Sequence, residues 1–422
     1  MREMKNSGNA LIGEIPIERN IVRNKYSIIY EKGKNPKNLN QEGIGNPYIG
    51  ATELEDINAT EYTNYSTDEL PMCDKDDVLV LWDGARAGII GTNHKGAYSS
   101  TIVKLTPDKT INKKYFYWYL KAFQKYLYDC TNGTTIPHMN MEYIYDIQML
   151  DWSVNEQKQI ADYLDEKCAD IDEIISAKEK TNELLKERRQ SIITEAVTKG
   201  LNPNAEMKDS GIDWIGEISF SKNVVRLKHY LENQMQYGAN ESGTSDANGN
   251  IRYIRITDIN NDSSLKDNED NKYLTIEQAE SYILKDGDVL FARSGATVGK
   301  SFIYKESYGK CAFAGYLIKA ECNRTKLLPK YLFYYTSTST YESWKNMIFI
   351  QATIQNIGAD KYQEMPLIMT SIEEQKEIVD YLDKKCEEID KLIESNNKTI
   401  EKLQEYRKSL IYEAVTGKIE IN

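Results

Sequence analysis

EQKQIADYLDEKCADID, residues 156–172, returns as EQKEIVDYLDKKCEEID, residues 374–390, 218 positions later. A match this long marks an internal duplication. At the same offset SIITEAVTKG (191–200) meets SLIYEAVTGK (409–418). These segments hold almost no glycine or proline. Their apolar residues recur at three- and four-residue steps: Ile160, Leu164, Ile171, Ile175, Leu185 and Ile192 in one, Ile378, Leu382, Ile389, Leu392, Ile400, Leu403 and Leu410 in the other. That is the period of a helix. Ser153-x-x-Glu156 and Ser371-x-x-Glu374 supply capping boxes at the start. Gly200 and Gly417 supply the stop. At 1.5 Å per residue each helix is about 65 Å long. One apolar stripe on so long a helix needs a partner helix, and the other copy is the partner most available. A two-fold repeat makes the pair antiparallel, with a globular domain at each end.

Working outward, SGNALIGEI (7–15) returns as SGIDWIGEI (210–218), and NPYIGATEL (46–54) as IRYIRITDI (251–259). DVLVLWDGARAG (77–88) returns as DVLFARSGATVG (288–299). The offset drifts upward from 203, as longer loops in the second copy would require. The expected map is a globular domain over 1–150, a long helix over 151–200, a polar linker over 201–211, a second globular domain over 212–370, and a second helix with its tail over 371–422. The globular parts are rich in Tyr, Val, Ile, Gly and Asn in short alternating runs, which reads as mixed α/β with many loops. The fold class expected is thus α/β (α+β) globular domains plus long α-helices, duplicated with pseudo-two-fold symmetry. YFYWYLKAFQKYLYD (115–129) reads as one buried helix, with YLFYYTSTS (331–339) as its counterpart.

RSGATVGKS (293–301) has the look of a phosphate-binding loop. The Walker pattern needs four residues between its glycines so that backbone N–H groups can wrap a phosphate. Here three separate Gly295 from Gly299, and the first copy, WDGARAGII, keeps the glycines without the Lys-Ser. A strand running into a tight turn is the better reading, with variable side chains held between fixed glycines.

A chain of 422 residues, 40% apolar, is long enough for two to four domains. No apolar run approaches the ~20 residues that cross a bilayer, and MREMKNSGNA has no signal-peptide apolar region. Six cysteines lie far apart with no C-x-x-C pair, which points away from disulfides and zinc and towards a reducing cytoplasm. The net charge of −12 is concentrated on the helices, so a basic face on a globular domain is compatible with it.

Catalytic patterns are missing. Asn46-Pro47-Tyr48 lacks one proline of an amino-group DNA methyltransferase motif, and Ile251-Arg252-Tyr253 lacks both. Asp165-x-Lys167 and Asp383-x-Lys385 resemble the tail of a nuclease motif but lie inside the long helices, where solvated charges are the plainer reading. His94, His138 and His229 are too few for a metal cluster or a Ser-His-Asp site. Cys168 and Cys386 occupy equivalent helix positions, as packing residues would.

Taken together, the duplicated domain and its helix resemble the specificity subunit of type I restriction–modification systems. The resemblance covers nearly the whole chain. It rests on DSGIDWIGEI (209–218), EEQKEIVDYLDKKCEEID (373–390), the ends EAVTKG and EAVTGK, and DVLFARSGATVGK (288–300). One departure is that NSGNALIGEIPIERN (6–20) lacks the tryptophan that Trp214 supplies in the second copy, which puts the packing at Leu11 in question.

The resemblance implies a chain that is not itself an enzyme. Each globular domain would be a target-recognition domain reading one half of a split, asymmetric double-stranded DNA sequence. The antiparallel helices would fix the unread spacer and dock two methyltransferase subunits, which use S-adenosylmethionine to methylate adenine at N6. Two motor-nuclease subunits using ATP and Mg would complete the assembly. Base reading needs polar side chains on stiff loops, and half-sites about one duplex turn, ~34 Å, apart need a spacer of that order. The candidate DNA contacts are Trp82, Asp83 and Arg86 at the first tip, with Thr134, Thr135 and His138 on the following loop. In the second copy they are Arg293, Ser294, Thr297 and Lys300, with Gln351, Thr353, Gln355 and Asn356. For methyltransferase docking the helix starts are the candidates: Gln157, Ile160 and Leu164, and Gln375, Ile378 and Leu382. The competing reading is a coiled-coil adaptor that binds only proteins. It leaves two divergent globular domains without a purpose.

Overall fold

The computed structural model describes residues 2–23, 27–55, 61–131, 137–248, 250–260, 263–266, 270–295, 297–350 and 355–421. Two compact units emerge, Met1–Glu179 with Asn397–Asn422, and Lys180–Asn396. The division runs through both long helices, Val154–Thr198 and Ile372–Val415, rather than at their ends.

The two units repeat one topology. In the first, a four-stranded antiparallel sheet has the order Ile28–Lys32, Ile102–Pro107, Val78–Leu81, Ile90–Gly91. In the second, the order is Gln236–Tyr237, Leu317–Ala320, Val289–Ala292, Ser301–Ile303. The inner strands VLVL and VLFA are buried at every residue, because both faces of the sheet are covered. Each unit has a further sheet containing one parallel pair, Asn46–Ile49 with Gly96–Tyr98 and Ile251–Ile254 with Cys311–Phe313. SGNALIGEI and SGIDWIGEI form the bends of matching hairpins, Met4–Asn6 with Glu14–Pro16 and Met207–Asp209 with Glu217–Ser219. The expected linker 201–211 therefore ends as a strand, since Met207–Asp209 finds a partner that a local reading cannot supply.

The aromatic run is core, but it is two helices, Lys113–Ala122 and Gln124–Thr131. Phe123 leaves helical geometry at φ −107°, ψ 12°, and its ring packs edge-on against Tyr412 at 5.9 Å. Tyr115 through Leu120 are all buried, as befits a helix apolar on every face. Its counterpart is also split, into Pro329–Tyr335 and Ser339–Ile350. Lys121, in the last turn of Lys113–Ala122, donates to the Ile90 carbonyl at 3.2 Å and Gln124 Oε1 at 2.8 Å. Burial pushes its ammonium down to about 8. A depressed lysine binds fewer protons folded than unfolded, so its contribution to stability rises as pH climbs from about 8 towards the ordinary lysine value. Lys121→Met is therefore expected to be neutral or stabilising at pH 7, with any gain shrinking above pH 8 in paired thermal melts.

Both long helices begin at the expected serine. Ser153 Oγ accepts from Glu156 N, and the Glu156 carboxylate accepts from Ser153 N at 2.9 Å, completing the box. Ser371 Oγ accepts from Glu374 N, but the Glu374 carboxylate serves Thr370, Ser221 and Lys222 instead. Gly200 and Gly417 hold left-handed φ of 83° and 73° just past the helix ends. In the first unit Ile160, Leu164, Cys168 and Ile171 share a core with Leu410, Ile411, Ala414 and Val415. In the second, Ile378, Leu382 and Cys386 share one with Ile193, Ala196 and Val197. The helices have exchanged roles. Arg407 pairs with Asp172 at 3.0 Å in the first unit, and Arg189 with Asp390 at 3.4 Å in the second. Within each unit the helix segments run antiparallel. Cys168 and Cys386 are buried packing residues, as expected from their equivalence.

Candidate nucleic-acid interface

In both units the strand leaves the sheet core into a tight turn. Gly84 and Gly88 have φ of 108° and 95°, and Gly295 and Gly299 have 79° and 85°. Only glycine takes this region without strain, which explains the repeated spacing. The turn N–H groups are used internally: Ala87 N donates to Gly84 O and Gly88 N to Leu81 O, with Val298 N to Gly295 O and Gly299 N to Ala292 O in the second copy. Lys300 leads into a strand, Ser301–Ile303, not a helix. This is not the arrangement of a phosphate loop.

A second segment lies antiparallel against each tip. Asp83 and His138 form one β-bridge, and Ser294 and Asn356 form the matching one. Met139 N donates to Trp82 O at 2.8 Å, and Ile357 N to Arg293 O at 2.8 Å. Residues 55 and 62 positions apart in sequence are thus joined at one rim. Thr134, Thr135, Gln351 and Thr353 lie outside the described residues.

The side chains differ between the rims. Asp83 accepts from Lys32 Nζ at 2.9 Å and pairs with His138 Nδ1. Burial pushes the Asp83 carboxyl up, but these two bonds outweigh it and hold the group below the usual range. Arg86 pairs with Glu55. Trp82 departs from expectation: it is only 7% exposed, stacked on Tyr30 and met edge-on by His138, so it braces the tip and leaves Tyr30 at the surface. At the second rim Arg293 lies over the Tyr237 ring, 4.9 Å from its centroid. Ser294, Thr297 and Lys300 are half-buried, while Gln355 and Asn356 are exposed.

Lys32, Tyr30 and Tyr237 were not legible as rim residues. Lys32 and Tyr237 occupy equivalent places at the sheet edge, each followed by a glycine, Gly33 or Gly238. A Cβ at either glycine would collide with backbone carbonyls, of Tyr98 and Ser99 or of Phe313 and Ala314. These glycines share the 205-position offset of Tyr48 and Tyr253, which is the signal that could have found them.

The six helix-start residues expected to dock a partner do not present themselves for it. Gln157, Ile160, Leu164, Gln375, Ile378 and Leu382 are all buried in their own units. Gln157 donates to Thr110 O and Trp152 O and accepts from Asn112 N. Gln375 does the same with Lys326 O, Thr370 O and Leu328 N. A buried amide with both donors and its oxygen engaged is a structural joint. Asp165 and Asp383 are also not free solvated charges. Asp165 accepts from Trp118 Nε1 at 2.7 Å and Lys114 Nζ at 2.8 Å. Asp383 accepts from Tyr334 Oη at 2.7 Å and from Lys330 Nζ. Each fastens its long helix to an aromatic helix. Among the described residues no group of three or more His, Cys, Asp or Glu is placed to hold a metal, and no helix is long and apolar enough to cross a membrane.

A family model described as the type I restriction modification DNA specificity domain matches residues 26–187 and again 224–405. The chain belongs to that family. The resemblance drawn from the repeats is borne out, and each match of the specificity family carries one copy of the rim. The MjaVIII type I restriction enzyme specificity subunit of Methanocaldococcus jannaschii is 27% identical over 424 residues, covering 96% of this chain and 94% of its own. The EcoBI specificity subunit of Escherichia coli is 22% identical over 90% of this chain and 81% of its own. A solved chain from a study of complex assembly and conformational transition of the type I R-M system matches at TM-score 0.69 and 14% identity, over 96% of this chain and 99% of its own. At that identity the likeness is one of fold.

Proposed function

We propose that this chain is the non-catalytic DNA sequence-specificity subunit of a cytoplasmic type I restriction–modification complex. Each unit reads one half of a bipartite target. The observation that carries the reading is the duplicated rim: one scaffold, held by the same glycines and the same β-bridge, bearing Lys32, Asp83 and His138 in one copy and Tyr237, Arg293, Ser294 and Asn356 in the other. Identical scaffolds with unlike polar side chains suit two different half-sites, so the target is asymmetric. Phosphate contacts from nearby lysines and arginines make the affinity salt-dependent.

The long helices set the spacer and dock two methyltransferase subunits, through surfaces other than the buried helix-start residues. Those subunits supply S-adenosylmethionine chemistry at adenine N6. Two motor-nuclease subunits using ATP and Mg add restriction.

The test is to map N6-methyladenine by single-molecule sequencing in cells carrying the chain with its methyltransferase partner. The expected result is a split motif of two unlike halves, absent without the chain. Exchanging residues 1–150 for those of a relative should change one half only. No chain-dependent motif beside a demonstrably active partner would favour the protein-only adaptor.

A further inference from the structure

Arg293 is held differently from the other arginines of the second globular part. Arg226 bonds Glu364, Arg255 bonds Asp258, and Arg252 and Arg324 donate to the carbonyls of Lys266 and Asp286. The Arg293 guanidinium carbon instead lies over the Tyr237 ring, and among the described residues no carboxylate pairs with it. Its Nε is buried without a hydrogen-bond partner among those residues. The backbone beneath it is fixed on both sides, by Arg293 N to Tyr316 O at 3.0 Å and Ile357 N to Arg293 O at 2.8 Å. The ring is fixed too. Tyr237 is paired in the sheet opposite Ile318, and its Oη accepts from Ala359 N at 2.9 Å. A guanidinium held over an anchored ring by a cation–π contact has fewer orientations open to its planar fork of donors before any ligand arrives.

We infer that Arg293 reads a guanine in the second half-site through its O6 and N7, and that Tyr237 is the positioning residue that aims it. This rests on the DNA-specificity reading and deepens it. Two adjacent acceptors on a planar base edge match the fork; a phosphate can match it too, but only a base contact sets a preference at one position of the target. The first rim has no equivalent: Trp82 stands in place of Arg293 and Lys32 in place of Tyr237. The inference therefore concerns the second unit and makes no assignment for the first.

The experiment maps N6-methyladenine in cells making the full-length chain with its methyltransferase partner, for the wild type, Arg293→Lys, Arg293→Ala, Tyr237→Leu and Tyr237→Phe. In the wild type the second half-site contains a guanine. Arg293→Ala removes the donors, so preference at that one position falls by roughly 5- to 150-fold, and Arg293→Lys, which offers one ammonium in place of the fork, lowers it less. Tyr237→Leu relaxes the same position, and Tyr237→Phe, which keeps the ring, does so less. The first half-site stays unchanged throughout. A folding defect would instead lower methylation without altering the motif, and that result for the Tyr237 variants overturns the positioning role. If Arg293→Ala and Arg293→Lys weaken methylation without altering the base preference at any position, the residue is a phosphate contact and the guanine assignment is wrong. A wild-type motif with no G·C pair in its second half overturns it as well. Absence of any chain-dependent motif overturns the underlying DNA-specificity reading together with this inference.

Discussion

Replacing Glu374 by glutamine is expected to destabilise the second unit by about 3–5 kcal/mol. The reason is Lys222, which has no exposed side-chain surface and whose ammonium lies 2.8 Å from Glu374 Oε1. Burial pushes the Lys222 ammonium down, and Glu374 opposes that shift. Without the carboxylate a buried cation is left uncompensated. Burial likewise pushes the Glu374 carboxyl up, but bonds from Lys222, Thr370 and Ser221 hold it below the usual range. A depressed carboxylate contributes stability above its unfolded value that is lost as pH falls through its folded one. The wild type and Glu374→Gln should therefore differ at pH 7 in denaturant unfolding and converge in acid. The double change Lys222→Met, Glu374→Leu should recover most of the loss, since an apolar pair of similar volume avoids burying charge. Equal destabilisation by the single and double changes would mean that packing, not charge, holds this joint.

The second large effect is expected from Gly238→Ala. The new Cβ would meet the carbonyls of Phe313 and Ala314, which belong to backbone and cannot swing aside. The edge strand must move, at about 1–3 kcal/mol or more, and Tyr237 moves with it. Recognition of the second half-site should collapse while the fold and the first half-site persist. Gly33→Ala should do the converse, displacing Lys32 from Asp83. Methylome mapping of the two variants would separate these outcomes, and loss of both halves from either change would refute independent reading.

Much of the fold was legible because duplication prints every structural residue twice. The capping serines, the stopping glycines and the glycines of the tip recur at steady offsets, so local chemistry and the repeat agree. What escaped is non-local. Nothing near Phe123 announces that the aromatic run breaks there or that its ring meets Tyr412. Met207–Asp209 looks like linker until its partner strand is known. Gln157 and Gln375 are partner-docking candidates because they open the long helices, yet each closes three bonds inside its own unit. At the rim, Asp83 and His138 were found as separate candidates, but Lys32, which shares the Asp83 carboxylate, lies 51 positions upstream in a strand with no motif of its own.

The exchanged helices also set an order of events during synthesis. The second unit is one unbroken stretch, Lys180–Asn396, and can close as soon as it leaves the ribosome. The first unit begins the chain yet stays incomplete until the last residues arrive. Its core waits for Leu410, Ile411, Ala414 and Val415, and the Tyr115 hydroxyl and Trp152 indole wait for the Val415 carbonyl. The unit started first is finished last, so a nascent chain cut short before Asn397 keeps its second unit whole and leaves its first one open.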